Sequence, residues 1–147
     1  MIDGNELSLA IGTDIVEIDR FRSLKTGSSF YRRTFSAKEL AYCFGFSDPY
    51  PHIAATFAGK EAVLKTTNSN CGLSLGDIEI LRDDDGAPYV THHQKCNHDI
   101  YISLSHSSSH AVAVALAVHR TYVSSMKEIQ SLLEDTVEQI LPRGDIR

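Results

Sequence analysis

His52-Ile53-Ala54-Ala55-Thr56-Phe57-Ala58-Gly59-Lys60-Glu61-Ala62-Val63-Leu64-Lys65-Thr66-Thr67 is the stretch on which the fold turns. It holds no Pro and no Gly except Gly59, so the run predicts one helix of about four turns. Its apolar stripe passes through Ile53, Ala54, Phe57 and Leu64. At about 100° per residue, Glu61 falls about 40° from Phe57 and about 60° from Leu64, inside that stripe. A carboxylate facing a core is costly unless it is paired or binds a metal. Lys65 follows at i+4, in the favourable order for an ion pair. A surface ion pair and a site-facing carboxylate are both open readings here.

Upstream, Leu7 to Val16 reads as a strand, with Leu9, Ile11 and Ile15 on one face. The other face carries Ala10, Gly12, Asp14 and Val16. Asp14 is therefore a second carboxylate in an apolar run, as a hydrogen-bonded turn cap or as a ligand. A strand Asp and a helix Glu can together supply two oxygens to Mg²⁺, which takes one or two carboxylates and completes its octahedron with waters and phosphates. Lys65 would then suit a phosphate oxygen. The segment 18–38 is polar and helical in part, broken at Thr26-Gly27-Ser28-Ser29. Ser36-Ala37-Lys38-Glu39 is a capping box opening a short helix through Phe44. Asp48-Pro49-Tyr50-Pro51 reads as a turn.

Downstream, Asn68-Ser69-Asn70-Cys71-Gly72 reads as a loop. Asp77–Leu81 and Ala87–Val90 form a hairpin about Asp83-Asp84-Asp85-Gly86. Asp99–Ser105 and Ala111–Val118 are two more strands. A second capping box at Ser125 opens a helix with Ile129, Leu132, Leu133, Val137, Ile140 and Leu141 on one stripe, ending at Pro142.

The chain has 147 residues and a net charge of −5, which bound it to one ordinary domain and argue against a general nucleic-acid binder. No apolar run is long enough to span a bilayer, and Met1 to Glu6 lack the start of a signal peptide. Cys43, Cys71 and Cys96 are odd in number and widely spaced, so no disulfide framework is expected and a reducing cytoplasm is. The charge is uneven: residues 18–38 hold Arg20, Arg22, Lys25, Arg32, Arg33 and Lys38 against Asp19, a net of +5. Such a patch is either a solvated helical face or a docking surface for an acidic partner. Ser103 to His110 gathers hydroxyls and imidazoles, as a turn or as a phosphate pocket. His92, His93, Cys96 and His98 are zinc-type side chains at a spacing that fits no usual pattern. There is no GxSxG, GxxxxGK[ST] or GxGxxG.

Three ordered motifs carry a resemblance over roughly residues 8–118. They are Ile11-Gly12-Thr13-Asp14-Ile15-Val16-Glu17-Ile18-Asp19-Arg20-Phe21, Phe57-Ala58-Gly59-Lys60-Glu61-Ala62-Val63-Leu64-Lys65 and Ser103-Leu104-Ser105-His106-Ser107. Together they resemble the holo-acyl-carrier-protein synthases, the small stand-alone 4′-phosphopantetheinyl transferases. The resemblance implies an α+β fold, a mainly antiparallel sheet packed on a long helix, over residues 1–119. Residues 120–147 would then be a C-terminal helical extension packed on the same domain or on a neighbouring subunit. It implies transfer of 4′-phosphopantetheine from coenzyme A to a serine of apo-acyl carrier protein, releasing adenosine 3′,5′-bisphosphate, in the cytoplasm and in lipid or polyketide synthesis. By similarity Asp14 and Glu61 hold Mg²⁺, Glu61 and Lys65 are catalytic, and Lys65, Asn68, Gly72, Ser105 and His106 bind coenzyme A. Arg20 matches a carrier-facing position, and Arg22, Lys25, Arg32 and Arg33 join it by charge. A homotrimer with sites between subunits is implied, His106 serving the neighbour's site.

The chain departs from the family pattern at Asn68-Ser69-Asn70, where a Gly-rich loop is usual, and at Thr56, where Arg is common. A coenzyme A- or carrier-binding homologue with weak or no turnover is the rival reading, and a zinc-stabilised protein is a third.

Overall fold

The computed structural model describes residues 9–92 and 96–120. Strand β1 (Leu9–Glu17) is followed by three short helices, α1 (Asp19–Arg22), α2 (Ser29–Thr34) and α3 (Ala37–Phe44), and then by the long helix α4 (Tyr50–Cys71). A 3-10 turn (Leu75–Asp77) leads into β2 (Ile78–Arg82), β3 (Pro88–His92), β4 (His98–His106) and β5 (His110–His119). The strands make two antiparallel sheets, one ordered β1-β5-β4 and one a β2-β3 hairpin. The α+β architecture read from the sequence is the one observed.

The three-stranded sheet seats α4 through small residues. In register, Gly12 faces Ala115 and Asp14 faces Ala113. Ala111, Ala113, Ala115 and Ala117 are all fully buried. A Cβ on Gly12 would sit 2.0 Å from the Ala62 carbonyl oxygen, so β1 runs directly against the helix backbone. Gly59 also leaves no room for a Cβ, which would meet the side chains of Ile80, Ile102 and Leu104 at 2.6–3.0 Å. The helix is thus enclosed on several sides, and every residue from Ile53 to Lys60 is buried. A one-sided apolar stripe underestimated this; a helix buried nearly all round lies inside the core.

Both ends of α4 differ from expectation. It begins at Tyr50, because Pro51 falls in the first turn, where its missing N–H costs nothing. It runs through Asn68-Ser69-Asn70 to Cys71 and stops at Gly72, which is left-handed at φ 57°. The residues read as a loop are its last turn. Cys71 is joined to Cys96 by a disulfide with a Cα separation of 5.4 Å. This corrects the expectation of no disulfide: 25 residues of sequence separation conceal that the end of α4 meets the chain two residues before β4. Cys43 stays free and buried, and burial pushes its thiol up to about 11. The helix predicted from Ser125 lies outside the described residues, as do Leu7, Ser8 and His93.

An ion pair at the centre joins the helices to the hairpin. Lys60 and Glu39 are both fully buried, with Nζ 2.7 Å from Oε2. Lys60 also donates to the carbonyls of Thr34 and Leu75. An ammonium has three donors, and all three are used. Glu39 accepts from the Ser36 amide, completing the capping box, and from the Ile80 amide at 2.8 Å. Burial lowers the Lys60 pKa, with the Glu39 charge opposing it. Removing one partner of a buried pair leaves an uncompensated charge and costs about 3–5 kcal/mol. Lys60→Met is accordingly expected to destabilise the fold by about that amount in urea unfolding. A loss below about 1 kcal/mol would show that the pair is not what joins these elements.

Candidate active site

The alanine seat puts Asp14 and α4 in contact. Asp14 is two residues beyond Gly12 on the same face of β1, and Lys65 lies one turn beyond Glu61 on α4. The Lys65 ammonium donates to Asp14 Oδ1 at 2.9 Å and to the Thr13 carbonyl at 2.6 Å. Asp14 is mostly covered while the Lys65 side chain is 51% exposed, so the bridge opens to solvent on its cationic side. Two of the three ammonium donors are engaged, which leaves one for an incoming anion. Glu61 is half-buried and makes no hydrogen bond or ion pair among the described residues. The pairing of Lys65 is therefore with Asp14 across the helix–strand contact.

The donor set suits a hard cation. Asp14 and Glu61 offer carboxylate oxygens, and Mg²⁺ needs only one or two of these when phosphates and water complete its shell. Among the described residues no group of three or more His, Cys, Asp or Glu converges. Of the zinc-type cluster, Cys96 is committed to Cys71, and the His98 ring lies against that of His119, centroids 5.1 Å apart.

Ser105 and His106 are elsewhere. They end β4 at the tip of the β4–β5 hairpin, with Ser105 exposed and paired to Val112. The His106 ring lies 5.6 Å from that of His52 in the first turns of α4. His52 itself stacks on Phe46 at 3.6 Å. Burial lowers the His52 pKa, reinforced by His106 and Arg82 and opposed by Asp48. His52 precedes Glu61 by nine residues, about 14 Å along the helix axis. One chain thus keeps His106 beside His52 near the start of α4, with strand β5 between it and Asp14.

Gly72 ends α4, with open space around it, and Asn68 lies in the helix one turn before it. Thr56, at the position where Arg is common in the family pattern, points into the core against Cys43. The basic residues separate into two kinds. Arg20 lies over the Phe57 ring at 5.5 Å and Lys25 is exposed. Arg32 bonds the Gly27 carbonyl, Arg33 bonds Ser29, and Arg22 bonds Asp48. Gly12, Lys60, Glu39 and Asp48 were not singled out from sequence as functional. Only the Ser36–Glu39 capping box hinted at one of them.

Residues 10–117 match the model of the 4′-phosphopantetheinyl transferase superfamily. A holo-[acyl-carrier-protein] synthase of Thermodesulfovibrio yellowstonii is 40% identical over 105 residues, 70% of this chain and 92% of that protein. The Helicobacter pylori holo-[acyl-carrier-protein] synthase in complex with coenzyme A is similar at 32% identity and a TM-score of 0.65, over 73% of this chain and 98% of that one. The Bacillus anthracis enzyme, solved in complex with coenzyme A (3′,5′-ADP), gives 30% identity and a TM-score of 0.64, over 74% and 95%.

The geometry makes Gly12 the spacer of this site. Gly12→Ala must displace α4 or bend β1, and overpacking of this kind costs about 1–3 kcal/mol. The expected result is a lower urea midpoint with an unchanged slope. An unchanged midpoint would mean that the strand–helix contact is looser than described.

Proposed function

The chain belongs to the 4′-phosphopantetheinyl transferase superfamily, and we propose that it moves 4′-phosphopantetheine from coenzyme A to a serine hydroxyl of an apo-acyl carrier protein. The observation that carries this reading is the Lys65–Asp14 bridge with the unpaired Glu61 carboxylate one turn away. In the reaction the serine oxygen forms a bond to the phosphorus that bears pantetheine. The bond from that phosphorus to the nucleotide phosphate oxygen breaks, and adenosine 3′,5′-bisphosphate leaves. Phosphoryl transfer depends mainly on alignment and charge stabilisation. The remaining donor of Lys65 binds an oxygen of the transferred phosphate. Glu61 is the base that this chain itself offers for the serine proton. Asp14 and Glu61 would hold Mg²⁺, which supplies Lewis-acid stabilisation of the pyrophosphate when bound.

The reading includes a homotrimer with each site between two chains. Two observations support it. The outer face of the three-stranded sheet carries Ile11, Ile15, Val112 and Val114, with Ile11 66% exposed and Ile15 63% exposed. Such a contiguous apolar face marks an interaction surface. Ser105 and His106 are also separated from Asp14 of their own chain by the intervening strand β5 and lie against His52, so in this reading they serve a neighbour's site. Arg20 and Lys25 would meet the acidic carrier. Residues 120–147 would pack on their own domain or on the neighbour. No described helix is long and apolar enough to cross a membrane. The reading places the enzyme in the cytoplasm, in fatty-acid or related synthesis, where the Cys71–Cys96 bond is subject to reduction.

Mass spectrometry of apo-carrier incubated with coenzyme A and Mg²⁺ tests the activity, and a mass gain of one phosphopantetheine per carrier is expected. Asp14→Ala and Glu61→Ala should each slow transfer by about two orders of magnitude or more. Near-normal rates in either variant would refute its role, and tight coenzyme A binding without product would favour a binding protein. Sedimentation should give three times the chain mass of 16.3 kDa. Ile11→Glu should convert the assembly to monomers and abolish transfer. A monomeric wild type with full activity would overturn the assembly.

A further inference from the structure

We propose that Arg22 and Asp48 form a latch fixing α1 to the start of α4, so that Arg22 is a positioning residue for carrier docking and not a carrier contact. This rests on the transferase reading above. By charge alone Arg22 belongs with the partner-facing cations. All three of its guanidinium nitrogens nevertheless face a carboxylate within the chain. Nη1 donates to Asp48 Oδ1 at 3.0 Å and Nη2 to Asp48 Oδ2 at 2.5 Å, a bidentate fork. Nε lies 3.2 Å from Asp19 Oδ1, and Cζ lies 5.0 Å from the centroid of the Tyr50 ring. Asp48 Oδ1 also accepts from the Tyr50 amide at 3.3 Å, which ties it to the first turn of α4. The Arg22 bond holds the Asp48 carboxyl below its ordinary range.

The placement of α1 makes this arrangement consequential. A helix of four residues cannot hold itself, and its N-terminus has no side-chain cap. Two consecutive anchors fix it. Phe21 is fully buried against Phe57 and Phe30, and Arg22 grips Asp48 on the outside. Arg20 is the residue just before these anchors, held over Phe57 one turn ahead of Glu61. Among the described residues it makes no hydrogen bond or ion pair. The latch therefore aims Arg20, and Arg20 is left to meet the carrier.

The test compares Arg22→Ala, Asp48→Ala and the charge swap Arg22→Asp/Asp48→Arg. The latch predicts that both single variants raise the carrier KM by about threefold to tenfold, with kcat and the coenzyme A KM within about twofold. The Arg22→Ala/Asp48→Ala double variant should be no worse than either single one, and the swap should recover most of the loss. If Asp48→Ala leaves or lowers the carrier KM while Arg22→Ala raises it, and the swap is worse still, Arg22 is a carrier contact and the proposal fails. Hydrogen exchange supplies a readout independent of catalysis. Amides of residues 19–22 should exchange faster in both single variants, and unchanged exchange would also overturn the latch. A wild type that transfers nothing, with faster exchange in both variants, would refute the transferase reading and leave the latch standing.

Discussion

The rest of the structure depends on the close approach of Gly12 to the carbonyl of Ala62. No residue with a side chain fits there. The constraint propagates along both strands: α4 can lie on the sheet only where the inner face is small, and β5 alternates alanine inward with valine or leucine outward. Larger inner residues would lift the helix and part Lys65 from Asp14. The cost is an outer face of large aliphatic side chains in solvent. The same contact that brings Lys65 to Asp14 therefore also leaves an exposed apolar face, the one on which the proposed trimer would assemble. His106 lies across β5 from Asp14, and in the proposed trimer each chain would hold two half-sites that a neighbour completes.

A second device keeps α4 from rotating on this seat. Lys60 stands beside Glu61 in sequence but points the other way, into Thr34, Leu75 and Glu39. With its neighbour anchored there, Glu61 is directed toward the open side. The Glu39 carboxylate is shared among the Ser36 amide of the helix cap, the Lys60 ammonium and the Ile80 amide of the hairpin. Every donor and acceptor of the pair has a partner, which is the condition under which buried charge is tolerated. The Arg22–Asp48 pair does comparable work on the surface, at the other end of the helix.

Much of this was legible in the residues. Asp14 and Glu61 stood out because each is a carboxylate in an apolar pattern; Asp14 lies on the helix–strand contact and Glu61 one turn from its partner Lys65. The strand alternation placed β1, β4 and β5, and the capping box placed α3. What stayed hidden was tertiary. Periodicity could not show that α4 is enclosed on several sides, because alanine and threonine read as neutral on any face. Asn68 to Asn70 have weak helix propensity, and only the left-handed Gly72 and the bond from Cys71 to Cys96 account for the longer helix. Charge counting placed Arg22 with Arg20 because it cannot see that Asp48, 26 residues away, already holds one of them.

The central claim is that one chain holds both halves of the site and that two chains complete it. Mixing tests this most directly. Glu61→Ala and His106→Ala variants, each inactive alone, are unfolded together and refolded as a mixture, and transfer of phosphopantetheine to apo-carrier is followed. The account predicts recovery of a substantial fraction of wild-type activity, because some interfaces then pair an intact Glu61 with an intact His106. Assemblies that mix their subunits yet show no activity above that of the separate variants would contradict it.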